Sequence, residues 1–213
     1  MAIITAAVVE PATPTESVEA IPNNSATGGY LLPTPTPTTL LGDALLDFVQ
    51  AWVVGVTGMA GNLVRPRWQP EPTNIPAFSI TWAAVGLIRR AADTFAAEIR
   101  RQDQPLGESE TRRHEELEFL ISFFGPDAMV SAYAFQEGVQ VAQNREILHT
   151  QSIGLVECGE ARMVPELLKE RWVNRIDVPF TLRRQVVRKY AVQNFGSSEV
   201  TLTSAEFSTT INI

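Results

Sequence analysis

From Leu40 onward, the apolar residues Leu41, Ala44, Leu45, Phe48, Val49, Trp52, Val53 and Val56 recur at spacings of three and four, which puts them on one face of a helix. Thr39 stands at the N-cap position, Asp43 suits the positive end of the helix dipole, and Gly58 or Gly61 ends the helix. The stripe is broad, which predicts packing against a sheet. The next stretch, VRPRWQPEPTNIP from Val64 to Pro76, holds Pro66, Pro70, Pro72 and Pro76 and so forbids both a helix and a central strand. It reads as an ordered extended crossing.

After the crossing the period changes to two. In AFSITWAAVGLI, Ile80, Trp82, Ala84 and Gly86 alternate with Ser79, Thr81, Ala83 and Val85, which predicts a strand. TFAAEIRRQD reads as a partner strand, QPLGESETRR as a polar loop, and HEELEFLISFFG as a third strand with Leu117, Phe119, Ile121 and Phe123 on one face. Gly125-Pro126-Asp127 opens a second helix whose buried stripe is Ala128, Ala132, Phe135, Val139 and Ala142. NREILHTQS predicts a shorter helical piece, and a short strand is expected around Leu155. ERWVNRIDVPFTLRRQVVRKYAV reads as long strands, with Trp172, Asn174, Ile176, Val178, Phe180 and Leu182 on one face and Pro179 at a bulge or an edge. SSEVTLTSAEFSTTINI is a strand or an extended tail. The order predicts an α+β domain: a mainly antiparallel sheet, with an N-terminal helix and a central helix packed on it.

Residues 1–39 change this picture. They carry Glu10, Glu16 and Glu19 but no Lys or Arg, and their Pro, Thr, Ser and Asn leave too few large apolar groups for a core. Pro33, Pro35 and Pro37 favour a polyproline-like course. The expected organisation is therefore an extended arm, 1–39, lying on its own domain or on a neighbouring subunit, and a single domain, 40–213. The net charge of −7 argues against generic binding to a nucleic-acid backbone. One cysteine, Cys158, makes no internal disulfide and gives no sign of an oxidising compartment. MAIITAAVVE is a poor signal peptide, so the cytoplasm is the default location. Ala44 to Val64 is long enough to span a membrane, but Asp47 and the one-sided stripe favour a helix on a protein surface.

Catalytic chemistry is scarce. His114 in HEELE lacks the second histidine of a zinc-protease helix, and the chain's 2 His and single Cys offer no obvious ligand set, so no metal and no cofactor are expected. Cys158 with His149 has no local feature that activates a thiol. Of Glu115, Glu116 and Glu118, only Glu116 and Glu118 share a strand face, which reads as solvated. Gly28-Gly29 is a joint and not a phosphate cradle. The basic residues Arg171, Arg175, Arg183, Arg184, Arg188 and Lys189 read as strand-edge protection or as a basic face for an acidic partner or passing DNA. Attraction between that face and the acidic arm of another subunit is the preferred reading.

At VRPRWQPEP the sequence resembles the neck terminator, or tail terminator, family of contractile-tailed phages. The likeness continues through NIPAF, TWAAVGL, HEELEFLISFFGPDA, AQNREIL and RWVNRIDVPFTLRR, and covers Leu40 to Tyr190. It implies a structural virion protein of the tail or neck, assembled in the host cytoplasm, and not an enzyme. It also implies a homohexameric ring that caps the tail tube, anchors the sheath and joins the head connector, with genome DNA passing through unbound and no membrane involved. Arg65, Arg67 and Trp68, held by the proline crossing, are candidate interface anchors, as are Arg171, Arg175, Arg183 and Arg184; Trp68 filling its own core is the competing reading. The alternatives are another neck or baseplate component such as a head–tail adaptor, a small enzyme using Cys158 or carboxylates, and a membrane-associated protein.

Deleting Met1 to Thr39 is expected to leave a domain that still melts cooperatively while weakening association between copies. Loss of the cooperative thermal transition contradicts this.

Overall fold

In the computed structural model the described residues are 31–34, 40–68, 74–101, 108–168, 170–192, 199–203 and 208–212. Most of the expected arm, with Thr39, lies outside them. The chain begins with α1, Asp43–Thr57, which closes at Gly58, whose φ of 71° is left-handed and whose N–H donates to Val54 O at 2.9 Å. The expected end is thus observed, and the helix starts three residues later than the pattern suggested, behind Gly42. Then come β1 (Val64–Pro66), β2 (Trp82–Ala92), β3 (Ala97–Arg101) and β4 (Glu108–Phe124). Two helices follow, α2 (Ala128–Gly138) and α3 (Ala142–His149). The rest is strand: β5 (Ile153–Cys158), β6 (Arg162–Met163), β7 (Glu166–Leu168), β8 (Arg171–Val173), β9 (Arg175–Ala191), β10 (Glu199–Thr203) and β11 (Ser208–Asn212).

The main sheet runs β1-β2-β4-β9-β5, with β3 also on β4 and β6 also on β9. All of its pairs are antiparallel except β1 with β2. The fold is therefore α+β with a mainly antiparallel sheet. The parallel pair explains the proline-rich stretch: parallel neighbours need a long crossover between them, and residues 67–81 supply it. Val64–Pro66 is itself a short edge strand, so the crossing begins inside the sheet and not beside it; Pro66 is tolerated because it lies at an edge.

Helices cover one face. Leu45, Val49, Trp52 and Val53 of α1 bury against Ala83 and Val85 of β2, Leu117, Phe119, Ile121 and Phe123 of β4, and Ile176, Val178, Phe180 and Leu182 of β9. Trp52 meets Phe135 and Phe180 edge-on, each at 5.7 Å, and its indole N–H donates to Asn144 O at 2.7 Å, so its polar atom is satisfied within the apolar layer. Phe119 stacks on Phe180 at 5.3 Å. In α2, Ala128, Ala132, Phe135 and Val139 are buried as expected, whereas Ala142 is exposed at the start of α3.

Three expectations are corrected. The supposed polar loop QPLGESETRR is strand from Glu108 onward, because β4 and β9 extend together well past the helices. TFAAEIRRQD supplies β3, but its partner is β4. Trp172 does not share the face of Ile176: it belongs to β8, and the chain breaks at Asn174 before β9 begins. Pro179 lies on central β9, opposite the gap between β5 and β6. There Gly159 N donates to Pro179 O at 2.8 Å, so the side of the residue that lacks an N–H faces a break in the neighbouring strand.

An ion pair, Glu115 with Arg184, is built into the core face. Glu115 is 1 % exposed, and its position on β4 is in phase with Leu117 and Phe119. Burial pushes its pKa up, but hydrogen bonds and charge from Arg90 and Arg184 outweigh this and hold the carboxyl below the ordinary glutamate range. Arg184 Nε and Nη2 donate to Glu115 Oε2 at 3.2 and 3.1 Å, and Arg113 Nη2 donates to Oε1 at 3.2 Å. Glu115→Gln is expected to destabilise the domain by about 3–5 kcal/mol, the usual cost of breaking a buried pair from one side. Because the folded pKa is depressed, the ion pair's contribution is complete above the unfolded glutamate pKa and disappears as pH falls through the folded value. Thermal melts of both proteins from neutral to acid pH check this: the gap should narrow as pH falls. A melting temperature unchanged by Glu115→Gln contradicts it.

A candidate assembly interface on the uncovered sheet face

The second face of the sheet carries no helix. On it, Trp82, Ala84 and Gly86 of β2 register with Phe124, Ser122 and Leu120 of β4, and these with Arg175, Asp177 and Pro179 of β9. Trp82 stacks on Phe124 at 4.3 Å, and the Arg175 guanidinium carbon sits 5.7 Å from the Phe124 ring centre. The middle row is polar and linked side chain to side chain, with Arg67 Nε buried and without a hydrogen-bond partner among the described residues. Arg67 donates to Ser122 Oγ, and Ser122 donates to Asp177 Oδ1. Arg175 holds both oxygens of Asp177, at 2.8 and 2.9 Å, and reaches Glu166 Oε2 at 3.2 Å. This last contact ties the β7–β8 hairpin to the sheet. The hydrogen bonds and charge of Asp177, followed by those of Glu166, raise the Arg175 pKa, while burial is the leading cause that lowers that of Arg67.

Trp68 lies flat on this surface. A Cβ at Gly86 would come within 2.8 Å of Arg67 Cβ and 3.0 Å of Trp68 Cζ3, so glycine is what lets the crossing approach the sheet so closely. Trp68 adopts a φ of 57°, a left-handed conformation costing a side-chain residue about 1–2 kcal/mol. The indole is nonetheless 65 % exposed, with the Arg67 guanidinium 5.7 Å from its ring centre. Trp68 is therefore an outward-facing residue and not a core plug. Arg65 donates from Nη1 to Asn74 O at 2.7 Å, which braces the crossing.

The basic residues of the last strands are not one face. Arg175 joins Arg67 and Trp68 on the uncovered face. Arg183 is exposed opposite Glu116, and Arg184 is buried on the core side against Glu115. Arg171 stands at the hairpin with its guanidinium over Phe78 at 5.7 Å. Beside it, Trp172 is 74 % exposed and pairs across the hairpin with exposed Leu167. Glu115, Ser122 and Asp177 escaped the sequence reading. Strand parity marks Glu115 as core-facing, but nothing local marks Ser122 and Asp177, which matter because the register aligns them.

The nucleophile reading of Cys158 finds no support: burial pushes its thiol up to about 11, which keeps it protonated near neutrality. Among the described residues, no group of three His, Cys, Asp or Glu side chains could hold a metal ion. None of the described helices is long and apolar enough to cross a membrane. A family model described as phage neck terminator protein matches residues 43–206. No curated protein matches the chain.

Trp68→Ala is expected to reduce association between copies while moving the domain's stability by no more than about 0.5–1 kcal/mol, as for an exposed side chain. Arg67→Glu should lower the melting temperature as well, because it places a carboxylate beside Asp177. Sedimentation and thermal melts on the same samples separate the two effects; an equal loss of stability in both variants contradicts the assignment of Trp68 to a partner.

Proposed function

The chain belongs to the phage neck terminator family, and from that premise we propose that its copies close into a ring ending a contractile tail. It is a structural protein of the phage neck. In the proposed role the ring, of six copies, caps the tail tube, gives the last sheath ring its attachment and docks the tail on the head connector. Genome DNA passes through the centre without being held.

One observation carries this reading: the family match spans the sheet with its uncovered face, where Trp68 offers large, pre-positioned aromatic surface, and the β7–β8 hairpin, where Trp172 is exposed. A ring needs two different patches that meet head to tail. The second is offered by β2, whose outer edge is paired by β1 only from Ala83 to Val85. Beyond that point its backbone groups are available for strand addition by a neighbour. Arg89 and Arg90 on this edge would oppose indiscriminate pairing. The overall charge of −7 suits a channel through which DNA slides. Arg65, Arg67, Trp68 and Arg175 then mark one side of the contact, with Arg171 and Arg183 near or beyond its rim.

Native mass measurement of the full chain, alone and with tail tube protein, tests the proposal. The expected species has six times the mass of the 23.4 kDa chain. A monomer under both conditions overturns it. A ring that binds the head connector but ignores the tube indicates a head–tail adaptor instead.

A further inference from the structure

Past the helices, β3 and the outer parts of β4 and β9 form a three-stranded ribbon whose inner face carries more guanidinium than carboxylate. Arg90 and Arg113 both donate to Glu115 Oε1, and Arg184 takes Oε2, so three cations share one buried acid. Arg188 lies further along the same face and has no ion-pair partner among the described residues. Arg90, Arg113 and Arg188 line a cavity of about 300 Å³ together with Glu115, Thr111, Tyr190 and Leu41. Glu98 on β3 is already held by Arg100 and Ser109. Lys189 points to the opposite face and pairs with Glu108. Glu115 is the single carboxylate in the cavity's lining, against three guanidinium groups, so positive charge and hydrogen-bond donors are in excess there.

The chain itself brings one to the rim. Thr34 N donates to Lys189 O at 2.7 Å, on the edge of β9 that β5 leaves open beyond Arg184. Leu40 O accepts from Arg184, and Leu41 lines the cavity. N-terminal to that entry point every charged side chain is acidic: Glu10, Glu16 and Glu19. Fifteen residues separate Glu19 from Thr34, an extended reach of about 50 Å. So short a tether gives an effective concentration in the millimolar range.

We propose that the cavity between Arg90, Arg113 and Arg188 is a carboxylate-binding site for this chain's own N-terminal arm, occupied by the Glu16–Glu19 stretch. A guanidinium fork and a carboxylate match in shape as well as charge, and partial enclosure strengthens the contact. The site latches the arm along the ribbon and neutralises the charge that Glu115 leaves over. It goes beyond ring formation and does not depend on it.

A protease that cuts after glutamate reads the latch directly, because the arm's only cleavage points are the proposed ligands and Glu10. The full-length chain at low salt is digested and fragments are followed by mass spectrometry. Cleavage after Glu16 and Glu19 should be about tenfold slower than in Arg113→Gln/Arg188→Gln, the ratio expected for losing a charge-assisted contact. Half-molar salt should abolish the difference. Arg188→Gln alone leaves the Glu115 cluster intact, so it should speed cleavage severalfold with an unchanged melting temperature. Equal rates in the wild type and Arg188→Gln overturn the proposal. Protection that vanishes on dilution assigns the cavity to another copy's arm and overturns the intramolecular form. Loss of binding to a short duplex DNA in the variants, with arm cleavage unchanged, assigns the site to phosphate and overturns it as well.

Discussion

The pairing of β4 with β9 is the constraint on which the other elements depend. Their register runs without a break from Glu108 opposite Ala191 to Phe124 opposite Arg175. At one end it aligns Leu117, Phe119, Ile121 and Phe123 with Leu182, Phe180, Val178 and Ile176, giving the floor on which α1 and α2 pack. A slip of one residue would turn Glu116, Glu118 and Leu120 inward and expose the phenylalanines, so the apolar pattern holds the register firmly. The same register lines up Ala84, Ser122 and Asp177 on the uncovered face and sets Glu115 against Arg184 on the covered one. Both polar networks follow from an alignment fixed by hydrophobic residues elsewhere in the strands.

The two ends of this pair have different characters. Where helices cover the sheet, the core face is apolar and closed. Beyond them, the ribbon has little to bury, and arginine replaces leucine and phenylalanine on the same side of the strands. Cations there are divided among the carboxylates: arginines pair with Glu115, Glu110 and Glu98, and Lys189 pairs with Glu108.

Much of this was legible in the chain. The three-and-four spacing gave α1 and its end at Gly58, and strict alternation gave the core face of β4. The segments that carry the family resemblance lie on β1, β2, β4, α3, β8 and β9, within the matched residues 43–206. What escaped was set by distance in sequence. The parallel pairing of β1, the partner of β3 and the break at Asn174 depend on strands that meet from far apart, and local pattern is silent about them. Glu115 could be placed by parity, but its three arginine partners come from β2, β4 and β9. Trp68 was open between core and surface because a proline-rich crossing has no period. Gly86, eighteen residues on, leaves the room that seats it on the uncovered face.

Electron cryo-microscopy of the head–tail junction in assembled virions tests the structural role most directly. A closed ring of this chain is expected there, with the uncovered sheet face and Trp68 at the contact between neighbouring copies. A junction without this chain, or a ring joined through the helical layer with Trp68 in solvent, contradicts it.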